Sequence, residues 1–389
     1  MSQTIIEKLL KGADVEWKTL GEVCNLKRGR VISKQYLAER SGRYPVYSSQ
    51  TANQGKIGTL DTYDFDGEFI NWTTDGANAG TVFYRNGKFS LTNVSGLINV
   101  INNSILNCKY LFYWLTIEAK CHVYTGMGNP KLMSHQVKAI PIPIPPLSVQ
   151  KEIVGILDAF TAHTAELTAE LTAELNERKK QYNYYRDKLL TFSDEEVEWK
   201  PLGETFNIIA GGDIPKTELF EFEDDKHNIP VISNGIGENS IYGWTNKAKI
   251  KEKSLTISAR GTIGWTNYHT RPFFPIVRLL VLIPKININI KYSYFYMKSI
   301  ENKYKIPVSS IPQLTKPMLV NVSIPIPSLE RQKYIVSILD KFDALTTSIS
   351  EGLPREIELR NKQYEYYRDQ LLNFPKPEND AIKHNSTNR

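Results

Sequence analysis

The chain is written twice, and nothing else in it limits the possible folds as much. VEWKTLGE at 15–22 returns as VEWKPLGE at 197–204, and IPIPPLSVQKEIVGILDAF at 142–160 returns as IPIPSLERQKYIVSILDKF at 324–342. RKKQYNYYRDKLLTF at 178–192 returns as RNKQYEYYRDQLLNF at 360–374. All three anchors share one offset of 182 residues, so the chain is a tandem duplication whose halves fold on one plan. Between the anchors the copies diverge. YPVYSSQTANQGKIG (44–58) and IPVISNGIGENSIYG (229–243) agree only in outline, and Pro45 matches Pro230 at an offset of 185. A constant frame holding two freely varying inserts suggests two different specificities.

Each insert carries short β-type runs, such as EFINW (68–72), TVFYR (81–85), GLINVI (96–101) and SLTISA (254–259), punctuated by Gly and Asn turns. An aromatic helix follows, CKYLFYWLTIEAK (108–120) and its partner IKYSYFYMKSIENK (290–303). A proline-rich extended stretch closes each domain, PIPIPP (141–146) and IPIP (324–327). Apolar residues then recur at threes and fours, Ile153, Ile156, Leu157 and Phe160 in one copy and Ile335, Ile338, Leu339 and Phe342 in the other, which predicts helices.

The first of these helices runs through TAELTAELTAEL (164–175), one tetrapeptide written three times, with Leu167, Leu171 and Leu175 on one face. The second copy is interrupted at Gly352-Leu353-Pro354, which breaks the helix or starts a new one. Neither helix can bury its stripe alone, so the two are expected to pack together, antiparallel, between the inserts. The repeat then reads as a ruler. One TAEL unit adds about 6 Å and about 40° of rotation to a helix, while duplex DNA advances about 3.4 Å and about 34° per base pair. Residues 161–179 span about 28 Å, or about eight base pairs.

At 389 residues, with 41% hydrophobic and 23% charged content, the chain is expected to form two or more globular domains. Its net charge of +6 is uneven: +5 in 1–145, −1 in 146–192, +2 in 193–328 and 0 in 329–389. Two basic blocks, each followed by a near-neutral segment, suit two nucleic-acid contacts held apart by a spacer. Neither a basic-then-apolar leader nor a bilayer-length apolar run is present, so a cytoplasmic location without membrane attachment is expected. Cys24, Cys108 and Cys121 have no CxxC spacing and are odd in number, which argues against a disulfide framework, and no HExxH suggests zinc.

The anchors VEW-x-x-LGE, PIP-x-x-x-x-Q-x-x-IV-x-ILD-x-F, the TAEL tract and KQY-x-YYRD together resemble the specificity subunits of type I restriction–modification systems, and the TAEL tract with KQY-x-YYRD resembles their type IC branch. The resemblance covers the frame at both ends of each half and implies an α+β architecture. Two tandem-duplicated α/β target-recognition domains (1–146 and 193–328) would be separated by a helical spacer (147–192). A second helical region (329–374) and a flexible tail (375–389) would follow. The long helices would form an antiparallel coiled-coil-like pair with pseudo-twofold symmetry. The resemblance further implies double-stranded DNA as ligand, each domain reading one part of a split, asymmetric site. Two modification subunits that bind S-adenosylmethionine and methylate adenine would be partners, joined by restriction (nuclease-motor) subunits that use ATP and Mg²⁺. The chain itself would bind no cofactor and catalyse nothing.

Independently, the sequence holds no NPPY-like adenine-methylation motif, no GxGxxG and no GxxxxGK[ST], so no catalytic or metal-binding residue is expected. The nearest nuclease-like pattern is Asp213 followed by Asp224-x-Lys226. Carboxylates before a lysine suit Mg²⁺, but this loop is dense in charge and has no counterpart in the first half, so it reads as solvated surface. A self-contained metal-dependent endonuclease or a protein-binding scaffold are the rival functions. Divergence confined to the inserts favours recognition over the scaffold, and the absence of a duplicated catalytic motif counts against the nuclease.

Base-edge contacts need polar side chains on exposed loops and helix ends. In the first half SSQTANQ (48–54), NWTTDGANAG (71–80) and TGMGNPK (125–131) supply Gln50, Asn53, Thr73, Asn78, Arg85 just beyond, and Lys131. In the second half SNG (233–235), ISARGTIG (257–264) and PVSSIPQLTK (307–316) supply Asn234, Arg260, Thr262, Ser309 and Gln313. Arg260, before a Gly turn, suits guanine O6 and N7. KAKIKEK (247–253), as a strand, would align its lysines, Lys249 and Lys251 among them, either along phosphates or as a charged edge protected against aggregation. The recurring tyrosines and arginines, Tyr182, Tyr184, Tyr185, Arg186 and Tyr364, Tyr366, Tyr367, Arg368, sit in constant segments and are the expected docking surface for constant partners.

Overall fold

A computed structural model describes residues 4–126, 128–214, 216–306, 312–347 and 352–375. The chain divides into two compact units, Met1–Thr168 with Glu358–Arg389, and Ala169–Ile357. A continuous helix, Leu147–Leu190, leaves the first unit and enters the second within its TAEL tract.

The first unit contains strands β1 (Glu16–Thr19), β2 (Cys24–Arg28), β3 (Tyr44–Tyr47), β4 (Lys56–Leu60), β5 (Phe65–Thr73), β6 (Val82–Leu91), β7 (Ser95–Val100) and β8 (Pro141–Ile144). Six of them form one sheet in the order β2-β7-β5-β6-β3-β4, antiparallel except for β3 beside β6. One face carries Ile70, Trp72, Val82 and Ile98 into the main core with the aromatic helix Cys108–Cys121. Phe89, Leu91 and Leu97 form a smaller cluster with Tyr47, Phe65 and Phe69.

The second unit repeats the plan with β9 (Glu198–Pro201), β10 (Phe206–Ala210), β11 (Ile229–Ile232), β12 (Ile241–Thr245), β13 (Ser254–Ser258), β14 (Thr266–His269), β15 (Phe274–Pro275), β16 (Leu279–Pro284) and β17 (Ser323–Ile326). Its sheet is split into β10-β16-β13-β14 and β12-β11-β15. In the first unit β6 is long enough to pair with both β5 and β3. The corresponding stretch holds Pro272, which has no N–H to donate to a ladder, and it divides into β14 and β15. KAKIKEK is not a strand: Ile250 is buried and makes an isolated bridge with Phe273, and Lys247 is paired with Glu218. Lys249 and Lys251 are exposed on a loop rather than on a phosphate-tracking row.

The duplicated anchors meet inside each unit. VEWK pairs antiparallel with the proline-rich strand, Glu16 opposite Ile144 and Trp17 opposite Pro143, then Glu198 opposite Ile326 and Trp199 opposite Pro325. Proline carbonyls still need donors, and frame side chains provide them. Tyr110 Oη donates to Pro143 O (2.8 Å) and Tyr292 Oη to Pro325 O (2.9 Å). Gln150 Nε2 donates to Pro145 O and Gln332 Nε2 to Pro327 O, both at 2.8 Å. Asn107 and Asn289 cap the two aromatic helices, Cys108–Cys121 and Ile290–Ser299, through identical pairs of backbone N–H groups. The second of these ends earlier than the 303 expected from sequence.

In the first unit Phe160 stacks on Tyr367 (5.4 Å between centroids), Tyr364 lies 3.1 Å from the Thr161 hydroxyl, and Leu167 lines a cavity with Arg360. Positions rising along Leu147–Leu190 meet positions falling along the helix Leu353–Leu371, so the two helices run antiparallel. The second unit repeats the stack with Phe342 on Tyr185 (5.5 Å). The last helix begins after Gly352 at φ 84, where a Cβ would lie 2.7 Å from the carbonyl oxygens of Ala344 and Leu345, so glycine is required. Leu371, Leu372 and Phe374 are buried in the first unit's core, and Leu189, Leu190 and Phe192 pack in the second's. The tail beyond 375 lies outside the described residues.

Candidate nucleic-acid interface

In the first unit the turn 74–81 after β5 meets residues 130–132, and the loop 48–55 after β3 rests on β6 and its end, Gln54 O accepting from Arg85 and the Ser48 hydroxyl from Thr92. Leu132 N donates to Thr74 O (2.9 Å) and Gly76 N to Pro130 O (3.0 Å), docking the turn on 130–132. Gln50, Asn53, Asn78 and Lys131 are exposed on these segments, and Gln50 Nε2 ties back to Lys56 O (2.8 Å). Two of the residues selected from sequence are not on this surface. Thr73 is fully buried, its hydroxyl donating to Asn78 O to close the turn. Arg85 is 5% exposed, with Nε on Asn71 Oδ1 (2.7 Å), Nη2 on Gln54 O (2.6 Å) and its guanidinium 3.6 Å from the Tyr47 ring centroid. Burial pulls its pKa down to about 10, so it remains a cation at neutral pH. Neither can contact a base.

The second unit gathers four of the expected residues into one constellation. Asn234 Nδ2 donates to Arg260 O (2.9 Å) and Thr262 Oγ1 to Asn234 O (2.5 Å). Arg260 Nε and Nη2 both donate to Gln313 Oε1, at 3.0 and 2.6 Å. That contact occupies one edge of the exposed guanidinium and leaves the Nη1–Nη2 end for a ligand. Ser309 lies outside the described residues.

The two surfaces correspond. Leu314 N donates to Ala259 O (2.9 Å) as Leu132 N does to Thr74 O. Asp75-Gly76 therefore takes the place of Arg260-Gly261, with both glycines at positive φ, 89° and 74°. Asp75 was not among the residues singled out from sequence. The signal was present in TDG against ARG, at the drifted offset of 185 rather than the anchor offset of 182.

In the constant segments, Tyr182, Tyr185, Tyr364 and Tyr367 face the helical packing described above. Arg186 and Arg368 lie 5.7 and 6.0 Å from the rings of Tyr182 and Tyr364 and pair with Asp187 and Asp369. Tyr184 and Tyr366, each 60% exposed, point outward. Leu167, Leu171 and Leu175 are all half-buried.

In the loop with nuclease-like spacing, Asp224 caps a turn. It accepts from the backbone N–H groups of Lys226 and His227 and from the His227 ring, and these bonds hold its carboxyl down at about 2. Among the described residues no three His, Cys, Asp or Glu side chains cluster to hold a metal, and no helix is long and apolar enough to cross a membrane.

Residues 13–177 and 194–359 match the family model for the type I restriction modification DNA specificity domain. The chain is 37% identical over 357 residues to a putative type I specificity subunit of Mycoplasma pneumoniae, covering 91% of this chain and 96% of that one. It is 36% identical over 416 residues to the specificity subunit of the EcoR124I/EcoR124II type I restriction enzyme of Escherichia coli, covering 96% and 98%. Among solved structures, the type I S subunit from M. genitalium shares the fold at a TM-score of 0.56 and 19% identity, covering 94% of this chain and 97% of that one. A chain from a study of complex assembly and conformational transition in the type I system does so at 0.64 and 18%, covering 92% and 97%. With both halves matched to one model and near-complete coverage of these relatives, the chain belongs to the type I restriction–modification specificity subunits.

Proposed function

We propose that each unit reads one part of a split, asymmetric DNA site and that the chain directs adenine-N6 methylation and restriction by partner subunits without catalysing either. The carrying observation is that one frame holds one turn in the same docked place in both units, yet presents Asp75 with Lys131 in the first and Arg260 with Gln313 in the second. A fixed mount with exchanged polar tips is what two different base readings require. Arg260, held on one edge by Gln313, is suited to donate two hydrogen bonds to guanine O6 and N7. Gln50, Asn53, Asn78 and Lys131 of the first unit, with Asn234, Thr262, Lys249 and Lys251 of the second, line the remaining contact surface. S-adenosylmethionine belongs to two modification subunits, and ATP and Mg²⁺ to restriction subunits. The target adenine leaves the stack to reach the methyltransferase. A cytoplasmic setting follows from a genomic DNA target.

The test is a genome-wide map of N6-methyladenine with and without the gene. A split motif around a fixed unread gap should vanish with it, and Arg260→Ala should relax a single base of one half by about 1–3 kcal/mol. Methylation unchanged in the deletion sinks the proposal.

The outward tyrosines are the proposed docking points for the modification subunits, because they recur in segments that do not vary with the inserts. Changing both Tyr184 and Tyr366 to Ala should weaken co-purification with the modification subunit about tenfold or more. Undiminished assembly would remove this role.

A further inference from the structure

The first unit's recognition loop stores backbone strain, and one buried cation holds it. Asn53 (φ 52, ψ 38) and Gln54 (φ 51, ψ 33) are consecutive non-glycine residues in the left-handed region. That region crowds a Cβ against the following carbonyl, and it persists only where surrounding contacts over-determine it. Here the contact beneath the turn is Arg85, rooted in β6: Nη2 donates to Gln54 O, Nε to Asn71 Oδ1 on β5, and the guanidinium lies over Tyr47 at the end of β3. All three partners are neutral, so the charge gains no ion pair from them. Its geometry instead ties the loop to two strands of the sheet.

The second unit shows what the same place looks like without this strut. Strand register puts His269 where Arg85 stands and Thr256 where Asn71 stands. The same side-chain pairing recurs there, His269 Nε2 with Thr256 Oγ1 at 2.8 Å. The imidazole ends sooner than a guanidinium, and together with Gly237, Ser240 and Ile241 of the corresponding loop it borders a cavity of about 360 Å³. The two recognition loops are thus supported differently although the sheet below them is shared.

We propose that Arg85 is a positioning residue for base recognition: it fixes the strained turn at 53–54 in the conformation in which Gln50 and Asn53 meet DNA, without meeting DNA itself. The inference rests on the reading of this loop as a DNA contact. The test uses the full chain assembled with its modification subunits, methylating a library of randomised split sites, with Arg85→Ala and Arg85→Lys beside wild type. Lys keeps the charge and has three donors, but all on one nitrogen, so it lacks the rigid fork that places Nε on Asn71 and Nη2 on Gln54.

Discrimination at one or two adjacent base pairs of one half-site should fall by about tenfold in Arg85→Ala and by less in Arg85→Lys, while the other half-site is read unchanged. A purely structural role would lower the melting temperature and weaken reading at all positions alike, and that result overturns the proposal. Intact discrimination in both variants also overturns it. Should Arg85→Ala not fold, Arg85→Lys decides by the same criterion. His269→Ala is the mirror control and should alter only the other half. If the wild-type assembly methylates no split site, the reading of the chain as a two-part recognition subunit falls first, and this inference falls with it.

Discussion

Deleting one TAEL unit, residues 168–171, should abolish methylation at the present site and create methylation at a new one, with both half-sequences retained and the gap changed by one or two base pairs. The three units are identical and successive, so the deletion joins Leu167 to the next Thr-Ala-Glu-Leu without breaking either the helix or its every-fourth-residue stripe. What changes is length and phase: about 6 Å of rise and about 40° of rotation, against about 3.4 Å and about 34° for each base pair. Neither unit's own fold depends on the deleted residues, because the buried parts of the helix lie at its ends, Val149 to Leu157 in one core and Leu190 in the other. At the old site only one half can then be in register. The expected loss is most of the specific over non-specific preference, about 10³-fold or more. Methylation mapping of the deletion strain reads the outcome directly. A changed half-sequence, or an unchanged gap, would show that the tract measures nothing.

The frame was legible in the sequence because duplication supplied its own control: a residue kept at 182 in both halves, such as Tyr110 with Tyr292 or Gln150 with Gln332, turns out to do the same work twice. Periodicity located the long helix, and proline marked the closing strands. The inserts were harder to read. A polar residue in a β-type run looks the same in sequence whether it faces solvent or a buried partner, so Thr73 and Arg85 passed as contacts although one closes a turn and the other lies under a loop. KAKIKEK alternates like a strand, but it makes no ladder there, only an isolated bridge of Ile250 with Phe273. The constellation of Asn234, Arg260, Thr262 and Gln313 was foreseen as a set of residues and not as a geometry, because the bonds joining them cross as many as 53 positions. Asp75 was missed because an Asp before Gly is ordinary turn chemistry, and only the docking bond at Thr74 identifies it as the counterpart of Arg260.

Gln150→Leu should destabilise the first unit by about 3 kcal/mol or more and leave the second untouched. The side chain is fully buried and makes three hydrogen bonds: it accepts from Asn107 N and donates to Ile105 O and Pro145 O, each at 2.8 Å. Leucine has nearly the same volume, so no cavity term enters. The loss is electrostatic, one N–H and two carbonyls left in an apolar site at about 1–3 kcal/mol each when unsatisfied. Asn107 is also the cap of the aromatic helix, so the helix start loosens together with the proline strand. Because the two units have separate cores, calorimetry should resolve a transition lowered by about 10 °C beside one that does not move. Gln332→Leu should exchange the two, since it strips Asn289 N and Pro327 O in the second unit. A shift below about 1 kcal/mol would mean that water reaches the site and satisfies the stranded groups. The frame would then hold by packing alone, and the polar clasp repeated at 182 would be an inherited feature without mechanical weight.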